Sequence, residues 1–239
     1  GKPLELGGSL GRDTATAKGS YFLIEEMIEH EDVGENLDVA IEGFGNAGAN
    51  LAQYLSDAGH SIIGVSDSSG GLVDKTGINI SELKNHKDKH GTVSDYDGKS
   101  VDSEEVKFLD CDICIPAALG DSITEDNVDN IQADIVLEVA NGPVTQLAHE
   151  ALIANGVTVV PDILANSGGV IVSYFEWVQN NTGLYWDKEE VHHQLHERIT
   201  DAYHAVRKVA DDNKVDYRLA SYIIAVEKLI KAERYRGRI

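Results

Sequence analysis

The segment Gly43-Phe44-Gly45-Asn46-Ala47-Gly48 packs three glycines into six residues, between an apolar run and a stretch of helical periodicity. Glycine is poor in strands and helices alike, so local stability does not explain the cluster. A dinucleotide does. Gly43 permits the tight turn out of a strand, Gly45 lets a pyrophosphate approach bare backbone, and Gly48 lets helix and strand pack closely. The helix opening through Asn46, Ala47 and Gly48 then offers free N–H groups and the positive end of its dipole to the phosphates. Asp67 follows Gly48 by 19 residues, near the spacing of about 20 for an acid that binds the adenine ribose hydroxyls. The motif therefore implies NAD or NADP. A carboxylate at Asp67 suits a free 2′-hydroxyl. Ser66, Ser68 and Ser69, with Lys75 or Lys84 within sequence reach, suit a 2′-phosphate. The sequence leaves both open.

Such a loop needs a buried strand before it and a helix after it, and the chain supplies both. Strands are predicted at "LDVAIEG", "SIIGVSD", "CDICIP" (111–116), "ADIVLEVA" (133–140) and "GVTVVPD" (156–162). These are continuous apolar runs, the pattern of strands covered on both faces. Helices are predicted at "TATAKGSYFLIEEMIEH", "NAGANLAQYLSDAG", "ITEDNVDNI" (with Thr124 as N-cap) and "TQLAHEALIANG". Beyond residue 165 the pattern is helical throughout. The alternation predicts an α/β fold, a Rossmann-like, doubly wound, mainly parallel sheet with helices on both faces and a helical C-terminal region. Residues 1–239 read as one dinucleotide-binding domain.

Lys and Arg number 20 against 41 Asp and Glu, giving a formal net charge of −21. A chain so acidic repels nucleic acid and anionic membrane, and neither is expected as a partner. The acids are spread over helices and loops, as at Glu25, Glu26, Glu29, Glu31, Asp32 and Glu35, which suggests adaptation to a salt-rich cytoplasm where counterions screen the repulsion. No apolar stretch approaches the roughly 20 residues of a membrane span. No signal peptide is visible, and the chain opens on Gly1. Cys111 and Cys114 form a lone C-x-x-C in a predicted strand, which would point them to opposite faces as buried structural thiols. His192/His196 and His86/His90 are i, i+4 pairs without an evident third ligand, so solvated helix faces and no metal are expected. Arg234, Arg236 and Arg238 suit either the negative end of the last helix or contact with another domain or subunit.

Several longer motifs make the chain similar to the cofactor-binding half of glutamate dehydrogenases, across essentially all 239 residues. They are "GGSLGRDTATAKG" (7–19), "GFGNAG" (43–48), "SDSSGG" (66–71), "CDICIPAAL" (111–119), "ANGPVT" (140–145) and "PDILANSGGVIVSYFEWVQN" (161–180). The acidity and the "ATAKG" variant most resemble haloarchaeal members; Ala17 and Ser167 depart from the Gly and Ala of many relatives. The resemblance implies that Thr16 and Asn46 hold the nicotinamide end of the cofactor and that Asn141 and Asn166 line its ribose. It also implies that Ser173, with Val170 one turn earlier, contacts the substrate side chain. A hydroxyl at Ser173 can donate to a γ-carboxylate; the plainer role is a bond back to its own helical turn. The family oxidises L-glutamate to 2-oxoglutarate and ammonia, using a lysine and an aspartate of an amino-terminal domain. No counterpart of that domain is found here, so no catalytic residue is assigned. This chain is expected to be the cytoplasmic coenzyme domain of a longer enzyme, with residues 1–20 and 217–239 packing toward the missing domain. A homo-oligomer, hexameric by resemblance, is expected. The alternative is a non-catalytic dinucleotide-binding regulatory module.

Overall fold

The computed structural model describes every residue except Asp32. Seven strands form one sheet in the order β4-β3-β2-β1-β5-β6-β7. They are β1 (Asp38–Glu42), β2 (Ser61–Asp67), β3 (Gly70–Val73), β4 (Lys99–Val101), β5 (Ile113–Pro116), β6 (Ile135–Leu137) and β7 (Thr158–Val160). β1, β2, β5, β6 and β7 run parallel, while β3 and β4 extend the β2 edge antiparallel. The chain leaves β1 toward β2 on one side and returns to β5 on the other. The ends of β1 and β5 therefore flank the crevice where ligands bind in such sheets.

The two faces are covered unequally. Val39, Ile41, Ile62, Ile113, Ile115 and Leu137 enter the larger apolar cluster, beneath α1 (Ala15–His30), α2 (Asn46–Asp57), α6 (Gly168–Thr182) and α7 (Lys188–Asn213). Their neighbours Ala40, Ile63, Cys114 and Val136 point the other way, as the strand period of two requires. There they meet α4 (Gln146–Ala154) and two 3-10 segments, Ser103–Phe108 and Val128–Asn130. α3 (Ile80–His90), α5 (Asp162–Ala165) and α8 (Tyr217–Tyr235) complete the chain.

Two expectations change here. "ITEDNVDNI" is a turn with only a 3-10 helix at Val128–Asn130. The Asn127 side chain accepts from the Thr124 N–H (2.8 Å) and donates to the Ser122 carbonyl (3.0 Å), replacing bonds an α-helix would have used. Cys111 and Cys114 share one apolar cluster instead of facing opposite ways, because the strand begins only at Ile113. Burial pushes the Cys111 thiol up to about 12 and raises Cys114 well above the usual thiol range, so both are inert structural groups.

α1 and α6 cross where Gly19 faces Gly168: a Cβ on Gly168 would stand 2.3 Å from the Ala15 carbonyl oxygen. This close approach sets Thr16 of α1 against Gly169 of α6, on the same cleft as Ser173.

Candidate dinucleotide site

Gly43 ends β1 at φ +103°, a conformation open to glycine, and a Cβ there would strike Ala117 and Ala118 after β5. A Cβ on Gly48, in the first turn of α2, would lie 1.8 Å from the Gly43 carbonyl oxygen. Gly45 differs. Among the described residues nothing lies within 4 Å of where its Cβ would stand, and no side chain caps the N-terminus of α2 that it precedes. An uncapped helix end behind bare, open backbone is what a pyrophosphate needs, and the residues present fit that group.

From this loop a cleft of about 810 Å³ runs past Ser66, Asp67 and Ser68 to Lys87, Lys107 and the 117–122 segment. Asp67 accepts hydrogen bonds from Ser69 and from the Val93 N–H (3.1 Å), and lies 3.0 Å from the Lys87 ammonium. Burial alone would raise this carboxyl. The Ser69 hydrogen bonds and Lys87 outweigh it and hold the group below the usual carboxylate range, so it is ionised at neutral pH. The Ser66 hydroxyl is buried and has no partner among the described residues. Lys87 also donates to the Phe44 carbonyl (2.9 Å), spanning the glycine loop and the acid. Sequence reasoning missed it: Lys84 reaches Asn50, and Lys75 lines a separate hollow near Val73. The turn that aims Asp67 was missed too. Asp67 pairs with Gly70 across a two-residue Ser68–Ser69 hairpin loop, hidden because β3 is short and glycine-rich.

Lys107, only 3% exposed along its side chain, pairs with Glu42 at 3.1 Å and donates to the Ser122 carbonyl at 2.9 Å. Ser122 in turn donates to Glu42. This buried group ties the end of β1 to the wall of the cleft.

Beyond Ala118 a second cleft, of about 530 Å³, is lined by Arg12, Thr16, Asn141, Asn166, Val170 and Ser173. Ala118 lines both clefts. Five residues singled out from the sequence therefore converge. Asn46 does not join them: its amide donates to the Asp13 carbonyl (2.7 Å), and it lines a neighbouring hollow with Gly11 and Lys188. The Asn166 amide donates to Asn141 Oδ1 at 2.8 Å and to the Val139 carbonyl at 3.2 Å.

Ser173 does not bond back to its own helix. Its Oγ accepts from Arg12 Nε at 2.7 Å, leaving the hydroxyl proton free to donate. Among the described residues no carboxylate pairs with Arg12. The folded N-terminal segment thus places a cation beside Ser173. That segment is seated on α6, with the Ser9 N–H on Glu176 (3.2 Å) and the Asn180 amide on the Gly7 carbonyl (2.7 Å).

The Asn141–Asn166 pair rests on a group the sequence does not advertise. Glu138 is fully buried and receives the Arg218 guanidinium from α8 and the Asp162 N–H at 2.9 Å. Asp162 accepts from the Gly142 N–H at 2.8 Å. Burial raises the Glu138 carboxyl, and Arg218 opposes that shift. Of the other basic candidates, Arg236 and Arg238 both pair with Glu233 (2.7 and 3.2 Å).

A family profile for Glutamate/Leucine/Phenylalanine/Valine dehydrogenases matches residues 7–237. The chain belongs to this family. It is 46% identical over 238 residues to an NAD-specific glutamate dehydrogenase of Staphylococcus aureus, and 47% identical to a catabolic NAD-specific glutamate dehydrogenase of Bacillus subtilis. Each alignment covers 99% of this chain, but 58% and 56% of the relative. A hetero-hexameric glutamate dehydrogenase from Thermus thermophilus superposes with a TM-score of 0.91 at 32% identity, covering 99% of this chain and 56% of that one. The chain thus spans little more than half the length of its family relatives, and throughout that length the fold is theirs.

Proposed function

We propose that this chain is the coenzyme domain of an NAD-dependent glutamate dehydrogenase. The reading rests on the meeting, at Ala118, of the cleft beside the bare backbone at Gly45 with the cleft that holds the Arg12–Ser173 pair. When bound, a nicotinamide dinucleotide supplies a hydride acceptor. The chain's own part is to hold and orient. Gly43, Gly45, Asn46, Ala47 and Gly48 would seat the pyrophosphate, with Asp67 and Ser68 at the adenine ribose. Thr16, Asn141 and Asn166 would surround the nicotinamide ribose. An ionised Asp67 favours NAD, in keeping with the names of its relatives; Lys87 neutralises that acid and does not replace it.

Arg12 and the free proton of Ser173 together suit a carboxylate, with Val170 on the same helical face. L-Glutamate, oxidised to 2-oxoglutarate and ammonia, fits this pair better than an aliphatic amino acid. Steady-state assays of the complete gene product with L-glutamate, L-leucine and L-valine test the reading. NADH formed from glutamate alone supports it. Binding of NAD without turnover of any amino acid would favour the regulatory module.

Ser173→Val sharpens the test. Loss of one hydrogen bond to a charged group costs about 1.5–3 kcal/mol, so kcat/KM for glutamate should fall about 10- to 150-fold while that for norvaline holds. An unchanged ratio would make Ser173 a mere anchor for Arg12.

Residues 1–20 and 217–239 would meet the rest of a longer, oligomeric protein, hexameric in the present reading. In support, Leu219, Tyr222, Val226 and Leu229 leave an exposed apolar row on α8. The charge of −21 supports a haloarchaeal-like protein of a salt-rich cytoplasm. Its melting temperature should climb from dilute buffer to molar KCl, where a Debye length of about 3 Å removes most self-repulsion. A midpoint flat or falling with KCl rejects salt adaptation. No helix among the described residues is long and apolar enough to cross a membrane.

A further inference from the structure

Far from the cleft, α1 and α7 bring histidines around one buried carboxylate. Glu26 is 7% exposed. Its Oε1 accepts from the Thr200 hydroxyl at 2.7 Å, whereas around Oε2 stand His204 Nε2 at 3.2 Å and His30 Nε2 at 3.5 Å. No Lys or Arg pairs with Glu26 among the described residues. A buried carboxylate in that position calls for a cation.

We propose that Glu26, His30 and His204 form a divalent transition-metal site of zinc's preference, stapling α1 to α7. The donor set of two imidazoles and one carboxylate, with a position left open, is one that zinc takes. The spacing agrees as well. Tetrahedral ligands at about 2.1 Å from a metal lie about 3.4 Å from one another, close to the 3.2 and 3.5 Å edges here. All three ligand atoms lie within 4.8 Å of one another, and the His204 ring is partly exposed. Thr200 fixes the carboxylate from behind, as outer partners of metal ligands do. His196, one turn before Thr200 on α7, stands 3.8 Å from Glu26 Oε1. His30 and Glu26 are i, i+4 on α1, and His204 comes from 174 residues further on. No local motif announces the site, and the His192/His196 pair suggested by spacing is not the one that closes it.

The test is titration of the metal-free 239-residue chain with Co²⁺, followed by absorption and calorimetry. One Co²⁺ per chain is expected, with the strong visible band of a tetrahedral site, displaced by Zn²⁺, and the metal should raise the melting temperature. His204→Gln alters a half-exposed ring and should leave the fold intact, yet weaken binding about 100-fold or more, as should His30→Gln. Thr200→Val should weaken it about 10-fold or more. A double His86→Gln/His90→Gln change, at the i, i+4 pair on α3, should leave affinity unchanged. Absence of stoichiometric binding, undiminished affinity in His204→Gln and His30→Gln, or loss of binding in the His86/His90 variant would each overturn the proposal.

Discussion

Gly45→Val should abolish dinucleotide binding while leaving the protein folded. The structure separates these effects more cleanly than the motif alone. At Gly48 a side chain would collide with the Gly43 carbonyl, so loss of binding there would be confounded by misfolding. At Gly45 the space is empty and the backbone is extended, at φ −83° and ψ −161°. Valine adopts that conformation, and changing the residue before α2 costs the fold about 1 kcal/mol. The branched side chain would fill the space over the uncapped helix end. NADH titration should show at least a 100-fold loss of affinity, with circular dichroism and melting temperature nearly unchanged. Undiminished affinity would place the dinucleotide elsewhere.

Arg218→Met should be the most destabilising single change outside the apolar core. It strands the fully buried Glu138, and removing one partner of a buried ion pair costs about 3–5 kcal/mol. Glu138 already has a raised carboxyl, and losing Arg218 raises it further. A raised carboxyl binds its proton more tightly in the folded state. The deficit should therefore be largest at neutral pH and shrink as pH falls toward the unfolded value near 4.3. Adding Glu138→Gln should restore part of the loss, because a neutral amide can still accept from the Asp162 N–H. Urea denaturation at several pH values checks both signs. A pH-independent deficit would mean that Arg218 acts by packing alone. Because the network carries Asn141 and Asn166, dinucleotide affinity in the folded variant should fall too.

The legible parts of the sequence were those with strong local signals. Continuous apolar runs located β1, β2, β5, β6 and β7, and the glycine spacing located the turn and the opening of α2. Short elements were lost. β3 and β4 hold four and three residues, too few to show a period, and they follow from pairing against the β2 edge. The 124–131 segment reads as helix by composition, but Asn127 diverts its backbone bonds. In the site, residues carried by one motif were visible, whereas partners joined only by tertiary contact were not. Lys87 against Asp67, Arg12 against Ser173 and Arg218 against Glu138 are pairs of distant residues. Nothing in a linear spacing links them.

A crystal structure of the chain with NAD bound tests the central claim most directly. The pyrophosphate should lie against the N–H groups of Asn46, Ala47 and Gly48, the adenine ribose at Asp67, and the nicotinamide beyond Ala118, between Thr16 and Asn166. A dinucleotide bound outside this cleft, or none at saturating concentration, would contradict it.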